Sequence, residues 1–152
     1  MTTPYSDIFD LFTMLTKDYR LDALYSTSLE DFEAYLTGWL VFAVRDFSDI
    51  CDQSLVRNDT TNLFTETLTD TNKVLLAELM VKYWLDQSVQ DILQMNLHLQ
   101  DRDFKTFAES QNLREKSAHL DKIKETLSQK MLSYAYAGND WTEWFVGNFT
   151  GA

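Results

Sequence analysis

The sequence predicts an all-α protein, a compact helical bundle around one central apolar helix. Apolar residues recur at spacings of three and four along most of the chain, as on one face of a helix. One proline and four glycines in 152 residues are too few for the many turns of a sheet protein. The segment 74–85, VLLAELMVKYWL, is apolar on nearly every side, and we expect the other helices to pack around it.

The central helix is predicted over residues 70–96. In its apolar part only Glu78 and Lys82 are charged, and their spacing of four, acid first, predicts an ion pair on one narrow face. A helix that is apolar nearly all round must be covered on most sides. The apolar part is also shorter than the about 20 residues that a membrane span requires. It is therefore predicted to be a core helix.

Two further helices are predicted before it. Pro4 suits the first position of a helix over residues 4–16, and residues 17–27 are expected to form a turn-containing connection. Ser28 opens a helix over residues 29–50, with Asp31 as its capping-box partner. The predicted apolar faces of these two helices are Tyr5, Ile8, Phe9, Phe12 and Leu15, and Phe32, Leu36, Trp39, Leu40, Ala43, Phe47 and Ile50.

Residues 51–68 lose the helical period and contain the turn-forming run NDTTN, so they are predicted to be a loop. The helical pattern resumes after residue 103. Leu113, Leu120, Leu127 and Tyr134 lie seven apart, which predicts one long helix over residues 103–137. Together the helices make one domain over residues 1–137, followed by a C-terminal tail over residues 138–152.

The tail is unusually aromatic. Trp141, Trp144, Phe145, Val146 and Phe149 lie within nine residues. One interpretation is that the tail folds back and closes the core of its own chain. The other is that it docks on another subunit, where Trp and Phe are favoured anchors. Both interpretations stay open from the residues alone.

The residue types argue against an enzyme. The chain has two histidines and one cysteine, without zinc-ligand spacing. No glycine-rich phosphate loop or nucleophile elbow occurs, and the acids show no pairing suited to acid–base catalysis. We therefore expect no catalytic residues, no cofactor and no metal. The opening residues lack the pattern of a signal peptide.

The net charge of −11 is unevenly distributed. Residues 1–70 hold 13 acids and 4 bases, a net −9, and residues 71–152 hold 11 acids and 9 bases, a net −2. Binding to a phosphate backbone requires clustered Lys and Arg, so the acidic half argues against a nucleic-acid grip. The charge is explained either by solubility or by a surface that repels nucleic acid or meets a basic partner.

One stretch resembles a known family. The helix LLAELMVKYWLDQ, preceded by a polar segment ending in LTD, is similar to the signature helix of head–tail connector (adaptor) proteins of tailed bacteriophages. The run MNLHLQDRDFKTFAESQNLREK and the ending W-x-x-WF-x-GNF also look like neck proteins of phages of Gram-positive hosts. The resemblance covers residues 28–149. Its matching positions in the signature helix are Leu75, Leu76, Leu79, Met80, Val81, Tyr83 and Trp84, followed by Asp86-Gln87.

The resemblance implies a structural virion protein. Its subunits would form a ring of twelve copies below the portal protein and extend the channel through which DNA passes without specific binding. The ring would also join a tail or stopper protein. Such a protein resides at the head–tail interface of the virion, and in the host cytoplasm during assembly, without contacting a membrane. The aromatic tail would contact the portal protein or a neighbouring subunit.

Two other classes stay open. One is a helical assembly chaperone or scaffold-type interaction protein that does not remain in the mature particle. The other is an acidic protein that mimics DNA, which would need acids spaced like phosphates on one surface. In this sequence the acids are instead interspersed with apolar positions.

Overall fold

The computed structural model describes residues 1–98 and 105–137, and within these the side chains of all but 95–98 and 105–110. The described chain forms five helices and one small sheet, which confirms the all-α class. None of these helices, over the residues described, has the length and apolar character of a membrane span. In chain order the elements are β1 (Thr3–Pro4), α1 (Tyr5–Leu15), α2 (Tyr19–Thr27), α3 (Leu29–Phe47), β2 (Arg57–Asn58), β3 (Leu63–Phe64), α4 (Asp70–His98) and α5 (Lys105–Ala137).

The central apolar helix is α4, as predicted. It packs against α1 and α3 with one part of its surface and against α5 with another. Leu76, Ala77 and Met80 are completely buried in this core. Thr69 stands before its first turn and accepts a hydrogen bond from the backbone N–H of Asn72 at 3.3 Å, as an N-capping side chain does.

The predicted ion pair within α4 is wrong. Glu78 pairs with Lys130 of α5, and Lys82 pairs with Asp46 of α3 at 3.6 Å. Because α4 is flanked by charged neighbours on both sides, each side chain finds its partner on another helix. The two ion pairs therefore link α4 to the helices that cover it.

The helices α1 and α3 bury most of their predicted faces. Tyr5, Ile8, Phe9 and Phe12 are buried, whereas Leu15, in the last turn of α1, keeps 52% of its surface exposed. The helix begins one residue after Pro4, which flanks it in an extended conformation. The hydroxyl of Ser28 accepts a hydrogen bond from the backbone N–H of Asp31, which confirms Ser28 as the N-cap. The backbone N–H of Ser28 donates to the carbonyl of Leu24 and not to the Asp31 side chain, so the predicted capping box does not form. The helix α3 ends at Phe47, and residues 48–50 continue as turns.

The expected connection over residues 17–27 is wrong, because most of it is the helix α2. Asp18 begins this helix by accepting a hydrogen bond from the backbone N–H of Arg20 at 2.8 Å. Only Leu21 is fully buried, with Leu24 packed beside it. A nine-residue helix with so few buried residues leaves almost no periodic signal in the sequence, although tertiary packing is enough to hold it.

The predicted loop over residues 51–68 contains β2 and β3. The central strand β3 pairs antiparallel with β1 and with β2. The hydroxyl of Thr3 accepts a hydrogen bond from the backbone N–H of Leu68 at 2.8 Å, and the N–H of Tyr5 donates to the carbonyl of Asn62. These strands are two residues long, too short for a period-2 pattern, and they tie the N-terminus to the segment before α4.

The helix α5 confirms the heptad prediction. Leu120 and Leu127 are buried at 4% exposure each, and Leu113 and Tyr134 are partly buried. The hydroxyl of Tyr134 donates to the carboxylate of Asp52. This bond fixes the last turns of α5 near the C-terminal end of α3, where the Tyr134 and Phe47 rings lie 5.2 Å apart.

Candidate interaction surface

The site residues predicted in the tail lie outside the residues that the structure describes. They are Trp141, Trp144, Phe145, Val146 and Phe149. In the signature helix, Leu75, Leu76, Leu79, Met80 and Val81 are all buried. Their role in the fold is therefore to form the core, and at most 9% of any of these side chains is exposed.

The aromatic pair at the end of the signature helix divides between two environments. The ring of Trp84 packs edge-on against Phe12 of α1, with centroids 6.2 Å apart, and so joins the core. The ring of Tyr83 instead lies 5.4 Å from Phe42 of α3. Both rings are partly buried, and Tyr83 is the member of the pair that packs outside the core cluster.

Around Tyr83 lies a continuous row of aromatic rings, which we call the aromatic face. It consists of Tyr35, Trp39 and Phe42 from α3 and Tyr83 from α4. The centroids of Tyr35 and Trp39 are 5.8 Å apart, and those of Trp39 and Phe42 are 6.5 Å apart. Positions four and then three apart lie on one side of a helix, so the sequence of α3 produces the row directly.

The aromatic face is open to solvent. Tyr35 keeps 38% and Phe42 keeps 42% of its surface exposed, while Trp39 is half-buried against the core. Gly38 lies beside the row, three residues after Tyr35 and four before Phe42. A Cβ atom built at Gly38 would meet no heavy atom of the described residues within 4 Å, so the backbone beside the row is open.

Two cations border the aromatic face at its Phe42 end. The guanidinium of Arg45 lies 5.5 Å from the centroid of the Phe42 ring, and the ammonium of Lys82 lies 4.7 Å from that of Tyr83. Both cations also pair with Asp46, at 3.5 Å and 3.6 Å. Two bases share one acid in this cluster, so the cluster itself is positive, although Asp49 lies exposed just beyond it.

Asp46 also accepts a hydrogen bond from the hydroxyl of Tyr83. Burial raises the pKa of Tyr83, and the bond to Asp46 raises it further. The carboxylate therefore holds the tyrosine ring and both cations in place. At the edge of the aromatic face, Tyr83, Asp46, Arg45 and Lys82 therefore hold one another in place.

A second polar cluster anchors the end of α5. Asp52 accepts hydrogen bonds from the Tyr134 hydroxyl and from the Asn72 amide, which together lower the pKa of Asp52. Burial and the bond to Asp52 raise the pKa of Tyr134 to about 12. Because α5 ends three residues later, at Ala137, this cluster holds the last turn of α5 in place.

Charge is segregated between the helices on the two sides of α4. Residues 5–47, which form α1, α2 and α3, hold eight acids and three bases, a net −5. Residues 105–137, which form α5, hold four acids and six bases, a net +2. The protein therefore presents an acidic side and a weakly basic side.

An open groove of about 800 Å³ runs between α4 and α5. Val74 and Leu75 line it together with Glu78, Lys130 and Tyr134. The charged pair in this groove is already engaged, and one oxygen of the Glu78 carboxylate is buried without a hydrogen-bond partner.

In the part of the chain whose side chains are described, no three or more His, Cys, Asp or Glu residues are arranged to hold a metal ion. Burial raises the pKa of the Cys51 thiol, which disfavours the reactive thiolate. The aromatic face is the arrangement that most resembles a recognition site.

The aromatic face was not predicted from the sequence, although a signal for it exists. The helix α3 carries two adjacent apolar stripes, and Trp39 was assigned to the core together with Leu36 and Leu40. Tyr35 and Phe42 continue the Trp39 stripe on the outer side. When a helix has more apolar positions than one buried face can hold, the extra positions indicate a second apolar surface that is exposed.

Comparisons of this chain with protein-family models, with curated proteins and with solved structures find no match. Its function is therefore inferred from the resemblance in its own residues and from the surfaces described above.

Proposed function

We propose that this protein is a structural virion protein, a head–tail connector whose copies form a ring below the portal and extend the DNA channel. The resemblance over residues 28–149 suggests this class. The structural observation that carries the proposal is the segregation of charge across α4, with a net −5 over residues 5–47 and +2 over α5. An all-helical subunit with two unlike sides suits assembly into a ring.

A ring requires heterologous contacts, in which one surface of a subunit meets a different surface of the next. The acidic side formed by α1, α2 and α3 and the basic side formed by α5 are complementary in this sense. Attraction between them would favour head-to-tail association over symmetric pairing, in which like charges would meet. This arrangement supports a ring of identical subunits joined to a portal on one side and to a tail or stopper protein on the other.

The excess of acids over bases in the chain, 24 against 13, also fits a channel for DNA, which acids outside the contact between subunits would line. A protein that neutralises phosphates with Lys and Arg binds DNA and releases its counterions. A surface with an excess of Asp and Glu does not bind phosphates in this way, so the DNA could move along it. We therefore propose that DNA passes through the ring without specific binding.

The aromatic tail is proposed to contact the portal protein or the neighbouring subunit. Aromatic side chains are over-represented among the residues that dominate binding energy, and Trp141, Trp144, Phe145 and Phe149 supply four within nine positions.

Association with portal particles tests the role of the tail. A chain ending at Gly138 is expected to lose that association, and so is a full-length chain with Ser at those four positions. Co-sedimentation with portal particles measures the loss, and circular dichroism checks that the helices remain. Normal incorporation of the truncated chain would contradict the docking role.

Quantitative mass spectrometry of purified virions tests the class. A connector is expected at a fixed ratio to the portal protein in mature particles. A chaperone or scaffold-type protein would be abundant in assembly intermediates and missing from virions. That second outcome would overturn the connector proposal and support the alternative.

A further inference from the structure

We propose that the aromatic face formed by Tyr35, Trp39, Phe42 and Tyr83 binds the aromatic C-terminal segment, residues 141–149, of a second copy of this chain. The inference rests on the proposed function insofar as ring subunits must contact one another. It goes further because it names both the surface that is bound and the segment that binds it. The contact is therefore head-to-tail, with the face of one subunit receiving the tail of the next.

The first argument is the apolar chemistry of the two partners. The face exposes aromatic rings in a row along α3, and the tail carries two Trp and two Phe residues. Aromatic rings that pack together favour edge-to-face and offset contacts, which add to the free energy of burying their area. The rings of the tail and the rings of the face would therefore bury one another.

The second argument is charge. Residues 138–152 contain two acids, Asp140 and Glu143, and no Lys or Arg. The face is bordered by Arg45 and Lys82, which Asp46 only half neutralises. At the other end Asp31 lies one turn before Tyr35, so the positive charge is confined to the Phe42 end. An acidic aromatic segment is attracted to that end and repelled by most of the remaining surface of residues 5–47.

The third argument is an orphaned donor within the face. The indole N–H of Trp39 is buried and has no hydrogen-bond partner in the described structure. A buried donor without a partner destabilises the structure that contains it. Tyr35 and Phe42 both contact the Trp39 ring and are partly exposed, so a docked segment that displaced one of these rings would reach the indole. A docked segment would then supply a backbone carbonyl as the acceptor.

Gly38 supports a peptide as the occupant. Beside the row it leaves bare backbone with open space above it. A glycine next to aromatic side chains lets another chain approach closely. The face is therefore shaped for an extended segment lying along α3.

Sedimentation velocity of the full-length chain across the micromolar range tests the proposal. The wild-type chain is expected to associate with rising concentration. Phe42→Ser and Trp144→Ser are each expected to weaken association by about tenfold or more, the effect of losing an aromatic hot spot. Val41→Ser is the matched control, because Val41 is 41% exposed on the same helix but points about 100° away, and it is expected to associate like the wild type.

Mixing the two weakened variants gives the sharpest test. The Phe42→Ser chain keeps an intact tail, and the Trp144→Ser chain keeps an intact aromatic face. The tail of the first can therefore still bind the face of the second, and no other face–tail contact is left. An equimolar mixture is therefore expected to form heterodimers and no larger species. Tyr35→Ser, at the other end of the face, replaces Phe42→Ser if circular dichroism shows that the latter is unfolded.

Three outcomes would overturn the inference. The first is a wild-type chain that stays monomeric, which docking of the tail on its own chain would predict. The second is a Phe42→Ser variant that associates normally. The third is a mixture of the two variants that forms no heterodimer. Failure of the proposed function is separate, because it is read from virion composition and portal binding. A self-associating chain missing from virions would contradict the connector role and leave the face–tail contact standing.

Discussion

The buried stripe of α3 and the aromatic face beside it have similar apolar character and opposite surroundings. Leu36, Leu40 and Ala43 of the buried stripe are 0% exposed, whereas Tyr35 and Phe42 of the face keep 38% and 42% exposure. The stripes differ because α1 and α4 pack over the buried one, whereas the ring of Tyr83 is what α4 places against the other. Apolar residues specify the fold where a neighbouring element covers them, and where none does, they remain available for a partner.

The side chains chosen for the two stripes fit this difference. None of the buried side chains of α3 carries a polar atom; they are Phe32, Leu36, Leu40, Ala43, Val44 and Phe47. The exposed row uses Tyr, Trp and Phe, which are enriched at the centres of protein interfaces. Its border of Arg45, Asp46 and Lys82 resembles the polar rim that surrounds such centres.

The largest expected effect comes from shortening one residue in each stripe. Leu40→Ala is expected to lower the free energy of unfolding by about 2–5 kcal/mol, because it leaves a cavity in a core without solvent access. Phe42→Ala, its matched partner on the exposed stripe, is expected to cost about 1 kcal/mol, because the ring is only partly buried. Urea denaturation at neutral pH measures both. Equal losses would show that the aromatic face is part of the folding core.

The elements predicted from the sequence are those with a long or local signal. The α5 heptad from Leu113 to Tyr134 repeats often enough to identify the helix. The Ser28 cap depends on residues three apart, and the run from Val74 to Leu85 can only be a core helix. Each depends on contacts close in sequence or on a pattern many residues long, so no knowledge of the tertiary structure was needed.

The features that were missed depend on which elements become neighbours. The partners of Glu78 and Lys82 lie on α5 and α3, and no spacing within α4 specifies them. The helix α2 buries one leucine, too little for a periodic signal. The aromatic face was hidden because its stripe adjoins the buried one, and only the packing of α4 shows which is covered. The tail residues stay a prediction, outside the described structure.

The second expected effect tests the polar edge of the aromatic face. Asp46→Asn is expected to lower the free energy of unfolding by about 1–2 kcal/mol, because it weakens a charged hydrogen bond to Tyr83 and two ion pairs near the surface. Thermal and urea unfolding measure this loss. Asp49→Asn is the control, since Asp49 is exposed just beyond α3, and it is expected to change stability little.

The same substitution has a signature at alkaline pH. The pKa of Tyr83 is raised in the folded chain, by burial and then by Asp46. Stability from a raised tyrosine pKa is fully present below about pH 10 and is lost as the pH rises through the folded value. Asp46→Asn lowers the pKa of Tyr83 toward its ordinary value, so the variant is expected to lose less stability between pH 9 and 11 than the wild type does. Parallel losses would mean that Asp46 does not hold Tyr83.

The smallest effect sharpens the comparison most, because it separates folding from docking. Gly38→Ala is expected to raise the free energy of unfolding by about 1 kcal/mol, since alanine favours the helix and its methyl meets no heavy atom within 4 Å. Ala34→Gly, at another exposed position of α3, is the mirror control and is expected to lower stability by a similar amount. If a docked segment approaches the backbone at Gly38, the same methyl weakens self-association in sedimentation velocity. A stabilised chain that associates less well would show that this glycine serves the partner at the expense of the fold, whereas stabilisation with unchanged association would remove Gly38 from the docking surface.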